Sequence, residues 1–265
     1  MKLIVSYYTM EHFSLPVEEN EVQSNLLQVC SDVHLERGDI TINDFPSIIE
    51  PCAEILALAG DIGDPYSPIF EEFIRYCSPR FRYVLFVSGN HEYYGHDMRS
   101  TDRCIENLFG YYTNVIYLNN RTFEYEGILF VGSTLWSNIP DDVSTYDLSS
   151  YQDYVRIEDF DHQQASILHQ RNVDFIREEL TMGYCIVITH HAPSYTCISD
   201  EYLGNKLNCC FASHLDDLLK HPNLLGWVYG HTHHNISRVA DQHFLYANCY
   251  RTENHNPRGV PHVLG

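Results

Sequence analysis

Apolar residues in this chain are bunched into short runs, and five of these runs stop at a small knot of Asp, His, Asn and Gly. Leu26-Leu27-Gln28-Val29-Cys30 leads into Ser31-Asp32-Val33-His34, and Ile55-Leu56-Ala57-Leu58-Ala59 leads into Gly60-Asp61-Ile62-Gly63-Asp64. Tyr83-Val84-Leu85-Phe86-Val87 is followed closely by Gly89-Asn90-His91-Glu92. Tyr184-Cys185-Ile186-Val187-Ile188 runs into Thr189-His190-His191, and Leu225-Gly226-Trp227-Val228-Tyr229 into Gly230-His231-Thr232-His233. Unbroken apolar runs of about 4–8 residues bounded by turn residues predict strands buried on both faces.

Helical spacing lies between these runs. Phe70, Phe73, Ile74 and Cys77 predict a helix over Phe70 to Cys77, and Cys104, Ile105 and Leu108 predict another in the second half of Tyr93 to Gly110. Asp161 is placed to cap a long helix whose apolar face is Leu168, Phe175, Ile176 and Leu180, ended by Gly183. Strand alternating with helix predicts βαβ units and an α/β fold. Val115 to Leu118, Arg121 to Tyr125 and Ile128 to Val131 are punctuated by Asn119-Asn120 and Glu126-Gly127, which is hairpin chemistry. A short helix is expected over Ser213 to Leu219, and closing strands over Ile236 to Val239 and Phe244 to Ala247. Residues 138–161 and 192–211 have little periodicity and read as long loops, either lids over a site or solvated insertions. Residues 1–24, with a strand from Lys2 to Tyr8, read as an N-terminal extension or edge strand, and residues 25–265 as one domain.

Loops at the carboxyl ends of strands in an open α/β sheet are exposed yet rigidly held, and ligands collect there. Any one of the five knots alone is explained as an ordinary strand-ending turn. Five of them converging on one rim would concentrate carboxylate, amide and imidazole donors of the kind that suit divalent Mn, Fe or Zn.

Composition narrows the partners. Sixteen basic residues against 36 acidic ones give a net charge of -20, which repels nucleic-acid backbones and anionic membranes and argues against a long nucleic-acid partner. No apolar run approaches the roughly 18 residues that span a bilayer, and the N-terminus does not read as a signal peptide. Nine cysteines, with no Cys-x-x-Cys pair, read as reduced thiols of a cytoplasmic chain. Oligomeric state is not legible.

Taken together and in order, the knots Asp32-x-His34, Gly60-Asp61, Gly89-Asn90-His91-Glu92, His190 and Gly230-His231-x-His233 resemble the calcineurin-like metallophosphoesterases, over residues 31–233. The resemblance implies a four-layer α/β/β/α sandwich of two mixed sheets with helices outside. It also implies two divalent ions (Mn2+, Fe2+/3+, Zn2+ or similar), one held by Asp32, His34, Asp61 and His233, the other by Asp61, Asn90, His190 and His231, with Asp61 shared. By the same resemblance His91 is the general acid, and Asp64 resembles the carboxylate that orients this His in the protein-phosphatase branch. This chain has Pro65 where that branch has Arg, and Ser31 where it has Gly, so Asp64 is equally readable as a helix N-cap. His191 reads as a phosphate contact or a surface residue, and Arg37 as an anion clamp or a surface residue.

The expected activity is hydrolysis of a small phosphomonoester or phosphodiester by metal-hydroxide attack, with a nucleotide or cyclic nucleotide as the leading substrate. Tyr146, Tyr151, Tyr154, Tyr195 and Tyr202 either stack on a base or pack the two long loops against the domain. The alternatives are a protein phosphatase and a non-catalytic metal-binding scaffold of the same fold.

Overall fold

The computed structural model describes residues 25–140, 143, 148–149, 151–240 and 243–261. The N-terminal extension, with its expected strand, and Tyr146 lie outside the described residues.

Two sheets form the centre. The first is all parallel, in the order β1 (Asn25–Cys30), β2 (Ala53–Ala59), β3 (Tyr83–Val87) and β4 (Val115–Tyr117). The second has six strands, β5 (Arg121–Tyr125), β6 (Ile128–Ser133), β7 (Cys185–Thr189), β8 (Leu224–Tyr229), β10 (His243–Ala247) and β9 (Ser237–Ala240), in that spatial order. Its inner strands are parallel, and β5 and β9 close its two edges antiparallel.

Side-chain alternation along the strands accounts for the layering. Ile55, Ala57 and Ala59 of β2, Leu85 and Val87 of β3, Ile186 and Ile188 of β7, and Phe244 and Tyr246 of β10 meet in the core between the sheets. Their neighbours point the other way. Leu56, Leu58, Val84 and Phe86 pack under α1 (Phe45–Ile48), α2 (Pro68–Cys77) and α3 (Met98–Phe109), while Cys185, Val187, Trp227 and Tyr229 face the side covered by the long helix. Both faces of each inner strand are buried, which is why these strands read as unbroken apolar runs. The result is the expected α/β/β/α sandwich, except that only the second sheet is mixed, the first being parallel throughout.

Helix α2 buries the predicted Phe70, Phe73, Ile74 and Cys77. The segment 138–161 contains a short helix, α4 (Gln152–Arg156), and the long helix α5 (His162–Glu179) begins where expected, with the Asp161 side chain accepting from the Gln164 backbone N–H. Its buried face is rotated from the expected one. Ala165, His169, Asn172, Val173 and Ile176 face inward, while Leu168 and Phe175 are only partly buried. The reason is polar: His169 Nδ1 donates to the Trp136 carbonyl at 2.5 Å, and Asn172 Oδ1 accepts from the Trp136 N–H at 3.1 Å. The expected helix over Ser213 to Leu219 is a single turn at Leu218–Lys220, and 192–211 is held by short turns at Tyr195–Cys197, Asp200–Tyr202 and Lys206–Cys210. Among the described residues, no helix is long and apolar enough to cross a membrane.

Candidate metal centre

The donor-bearing residues follow β1, β2, β3, β7 and β8, and the backbone turns sharply to deliver them. Asp32, His34, Asp61, His231 and His233 all have positive φ, between 48° and 65°. L-residues avoid this region at a cost of about 1–2 kcal/mol each, so the surrounding structure holds them there. Two glycines make room. A Cβ at Gly60 would run into the His190 ring and the Gly89 backbone, and one at Gly89 into the Asp61 carboxylate.

Glu92, fully buried, ties the second and third strand ends together. One of its oxygens accepts from Ile62 N and Gly63 N, at 2.7 and 3.2 Å. The other accepts from Asp61 N and Gly89 N, at 3.0 and 2.7 Å. The first strand end is fixed from the far side of the chain. Arg251 donates to the carbonyls of Val33 and His34 and makes a bidentate pair with Asp39. Beside it, Tyr250 N–H bonds the Ser31 carbonyl, Ser31 N–H bonds that of Asn248, and Val29 N–H bonds that of Gly259.

Among the described residues three groups of donor atoms result, each with its atoms within 4.8 Å of one another: Asp32/His34/His233, Asp61/His190/His231 and, beside the first, His34/Glu36/His91. In the first, His34 Nε2 faces His233 Nε2 at 3.2 Å, and His233 Nε2 lies 3.2 Å from Asp32 Oδ1. In the second, His190 Nε2 lies 3.0 Å from Asn90 Oδ1 and 3.3 Å from Asp61 Oδ1. The other Asp61 oxygen is 3.8 Å from His34 Nε2, so this one carboxylate is divided between the groups.

Partners behind the rings set their tautomers. His190 Nδ1 donates to the Ala59 carbonyl at 2.9 Å, His34 Nδ1 to Glu36 at 3.0 Å, and His231 Nε2 to the Cys210 carbonyl at 3.3 Å. The inward nitrogens of neutral rings are then bare lone pairs facing one another and facing carboxylate and amide oxygens. Such an arrangement needs a proton or a cation at its centre. With protons alone, burial would hold His190 neutral, yet the Asp61 and Asp32 carboxylates drag it up to about 10. Burial raises Asp61, but His190 and His91 pull it well below the carboxylate range. The donor set therefore fits divalent cations.

His91 stands beside this floor. Its Nδ1 donates to Glu36 Oε1 at 2.8 Å, the oxygen that also accepts from His34, and its Nε2 lies 3.9 Å from Asp61 Oδ2. Burial pushes Glu36 up, but the two histidine hydrogen bonds bring it down to about 2. Asp64 is elsewhere: its carboxylate accepts from Tyr66 N at 2.9 Å and lies 3.9 Å from His96 Nε2. It is not a helix cap either, since Ser67 holds that position before α2. The carboxylate at His91 is thus Glu36, which the reading of the sequence passed over because neither its residue type nor its place after His34 marks it out.

His191 is neither on the surface nor among the cavity-lining residues. It is buried between Trp136 and His231, donates to the Thr134 carbonyl, and is driven down to about 3 by burial and by the charge of His190. A second residue missed in the sequence is Asp153 of α4, whose Oδ1 accepts from Asn90 Nδ2 at 2.7 Å and from Tyr94 Oη at 2.7 Å.

Above the floor opens a cavity of about 550 Å3. Its walls come from the two long segments: Tyr151 and Gln152 from one, Ile198, Tyr202, Leu207 and Phe211 from the other, and among the described residues Arg37 is the one Lys or Arg that lines it. Tyr154 and Tyr195 do not line it. Tyr154 packs against Phe160, and Tyr195 stacks flat on His214.

Fold and donor set together define an α/β/β/α protein with a centre suited to two divalent ions. The chain belongs to the calcineurin-like phosphoesterase family, whose sequence model matches residues 27–235. It is 30% identical over 268 residues to an uncharacterised protein of Acanthamoeba polyphaga mimivirus, covering 88% of this chain and 94% of that one. Among solved structures it is similar in fold to a phosphopantetheinyl hydrolase from Mycobacterium tuberculosis. The TM-score is 0.66 and the identity 17%, covering 90% of this chain and 92% of that one. A dimetal phosphatase from Danio rerio is also similar, with a TM-score of 0.51 and 13% identity, covering 89% and 88%.

Proposed function

We propose that this chain is a two-metal phosphoesterase acting on a small phosphoester, one ion held by Asp32, His34, Asp61 and His233 and the other by Asp61, Asn90, His190 and His231. The observation that carries this is the pair of Asp/His donor groups, with Asp61 facing both, at the floor of a cavity. Bound there, two divalent ions would supply a water whose pKa is lowered toward about 7 and would offset the charge on the phosphoryl oxygens.

The chain's own residues do the rest. The five positive-φ residues and the Glu92 clamp fix the donors before any ion binds. Glu36 holds the His91 Nδ1–H, which leaves Nε2 toward the floor to deliver a proton to the departing oxygen. Arg37 at the cavity and the aromatic walls receive the organic part of the substrate. A cavity of this volume is several times larger than one phosphate and of the size that holds a drug-like molecule. A nucleotide or cyclic nucleotide, its base against Tyr202 and Leu207, is the leading substrate. A net charge of -20 favours such small esters over long polyanions.

The test is a panel of nucleotides, cyclic nucleotides, aryl phosphates, a phosphopeptide and single-stranded DNA assayed with added Mn2+. A preference for nucleotide esters supports the reading. A preference for phosphopeptide or DNA overturns the substrate, and two bound ions with no turnover of anything returns the chain to a scaffold.

A further inference from the structure

Asn90 poses a problem that its own chemistry does not solve. Its amide oxygen and nitrogen are nearly the same in shape, and only the oxygen is a donor to a cation. What decides which end faces the centre is the partner at the other end. A carboxylate settles it, because an ionised carboxylate accepts hydrogen bonds and cannot donate one.

Asp153 is that partner. Its side chain is 3% exposed, and its Oδ1 accepts from both Asn90 Nδ2 and Tyr94 Oη. Since Tyr94 spends its proton on Asp153, its oxygen is free to accept the second hydrogen of Asn90 Nδ2, at 3.0 Å. Both amide hydrogens are thereby drawn away from the floor, and Oδ1 is left against His190 Nε2. A buried carboxylate with two neutral donors is an expensive way to fill space, and an apolar side chain would pack there at less cost. Tyr94 in turn lies against the His91 ring, with centroids 4.2 Å apart, and the guanidinium of Arg156, from the same short helix as Asp153, sits over the Tyr94 ring, 4.4 Å from its centroid.

We propose that Asp153 is a positioning residue that locks the Asn90 amide with its oxygen toward the second ion. This rests on the two-metal reading. It also gives the segment 138–161 a second duty: Tyr151 and Gln152 wall the cavity, and the next residue along orients a metal donor.

The experiment uses the full chain stripped of metal and titrated with Mn2+, followed by calorimetry and electron paramagnetic resonance. The unaltered protein is expected to take two ions and show the spectrum of a spin-coupled pair. Asp153→Asn is expected to bind its first ion normally and the second about 10–100-fold more weakly, with an isolated-ion spectrum where the pair signal was. An unaltered protein that takes fewer than two ions sinks the two-metal reading itself. Two ions in the unaltered protein and an identical titration for Asp153→Asn sinks the Asp153 inference alone.

The exchange variant Asn90→Asp/Asp153→Asn decides the matter even where the single variant does not fold. The amide at 153 then donates to the carboxylate at 90, and the coupled pair should return. An exchange variant that does not fold, or takes no second ion, overturns the proposal.

Discussion

Glu36 reaches His91 through the same oxygen with which it reaches His34, at 2.8 and 3.0 Å. The residue proposed to protonate the leaving group and a donor of the first metal group are therefore held by one carboxylate. His91→Ala should slow esters with poor leaving groups by roughly 10²–10⁴-fold and nitrophenyl esters much less. Glu36→Gln should show the same leaving-group signature, more weakly, and add little in the His91→Ala background. Measuring kcat/KM for an alkyl and a nitrophenyl ester in all three variants checks this, and equal losses for both esters would reassign His91.

Chelation should abolish hydrolysis, and Mn2+ or a similar ion should restore it. Among the proposed metal-binding residues, Asp61→Asn should do the most damage, because Asp61 faces both donor groups. Metal stoichiometry by elemental analysis should fall below that of Asp32→Asn or His190→Ala. A fully active chelated protein would refute the metal dependence.

Glu92→Gln tests the clamp. The amide keeps one acceptor oxygen and points an NH2 at two backbone N–H groups that had a carboxylate oxygen, so two buried hydrogen bonds become clashes of donors. Leaving such groups unsatisfied costs about 1–3 kcal/mol apiece. Denaturant unfolding of the metal-free protein should therefore show a loss of about 2–6 kcal/mol; a change below about 1 kcal/mol would mean the clamp contributes little.

Whatever the other titrating groups add, His255 should lower the stability of the fold on mild acidification. Its Nε2 donates to the Ile48 carbonyl at 2.9 Å, its Nδ1 is buried without a partner among the described residues, and burial lowers its pKa. His169, bonded to the Trp136 carbonyl, is lowered by burial in the same way. The unfolded chain then binds more protons than the folded one. The contribution is complete above the unfolded value of about 6.5 and is lost as pH drops below it toward the lowered folded value. The drop in unfolding midpoint between pH 7.5 and pH 5.5, both about a unit from that value, should be smaller in His255→Gln. An unchanged drop removes His255 from the account.

Tyr202→Ala should raise KM for a nucleotide ester about 2–12-fold, the equivalent of about 0.5–1.5 kcal/mol of aromatic contact, with kcat unchanged. Methyl phosphate should not notice the substitution. Equal effects on both would take the stacking role from this ring.

The donors were legible because each is tied to a local signal: an apolar run buried on both faces, then a turn rich in metal-type side chains. Glu36 and Asp153 carry no such signal. Glu36 meets His91 across 55 residues and Asp153 meets Asn90 across 63, so only the folded chain brings them together. Asp64 misled for the converse reason: its sequence position matched a pattern, while its side chain was taken up locally by the Tyr66 N–H. The rotated face of the long helix was hidden because periodicity counts apolar residues, and His169 and Asn172 are buried for their hydrogen bonds.

Arg251 holds the turn of Val33 and His34 from a position 218 residues further along the chain than Val33. It lies beyond the stretch matched by the family's sequence model, as do strands β9 and β10. During synthesis, the turn that presents Asp32 and His34 is made early and must wait for its clamp. Contacts of such long separation form late because the intervening loop has first to be closed. A chain stalled or cut at residue 235 would carry every proposed metal-binding residue without the clamp on the first strand end: possession of the motif and possession of the whole centre are separated by the last strands of the second sheet and one guanidinium.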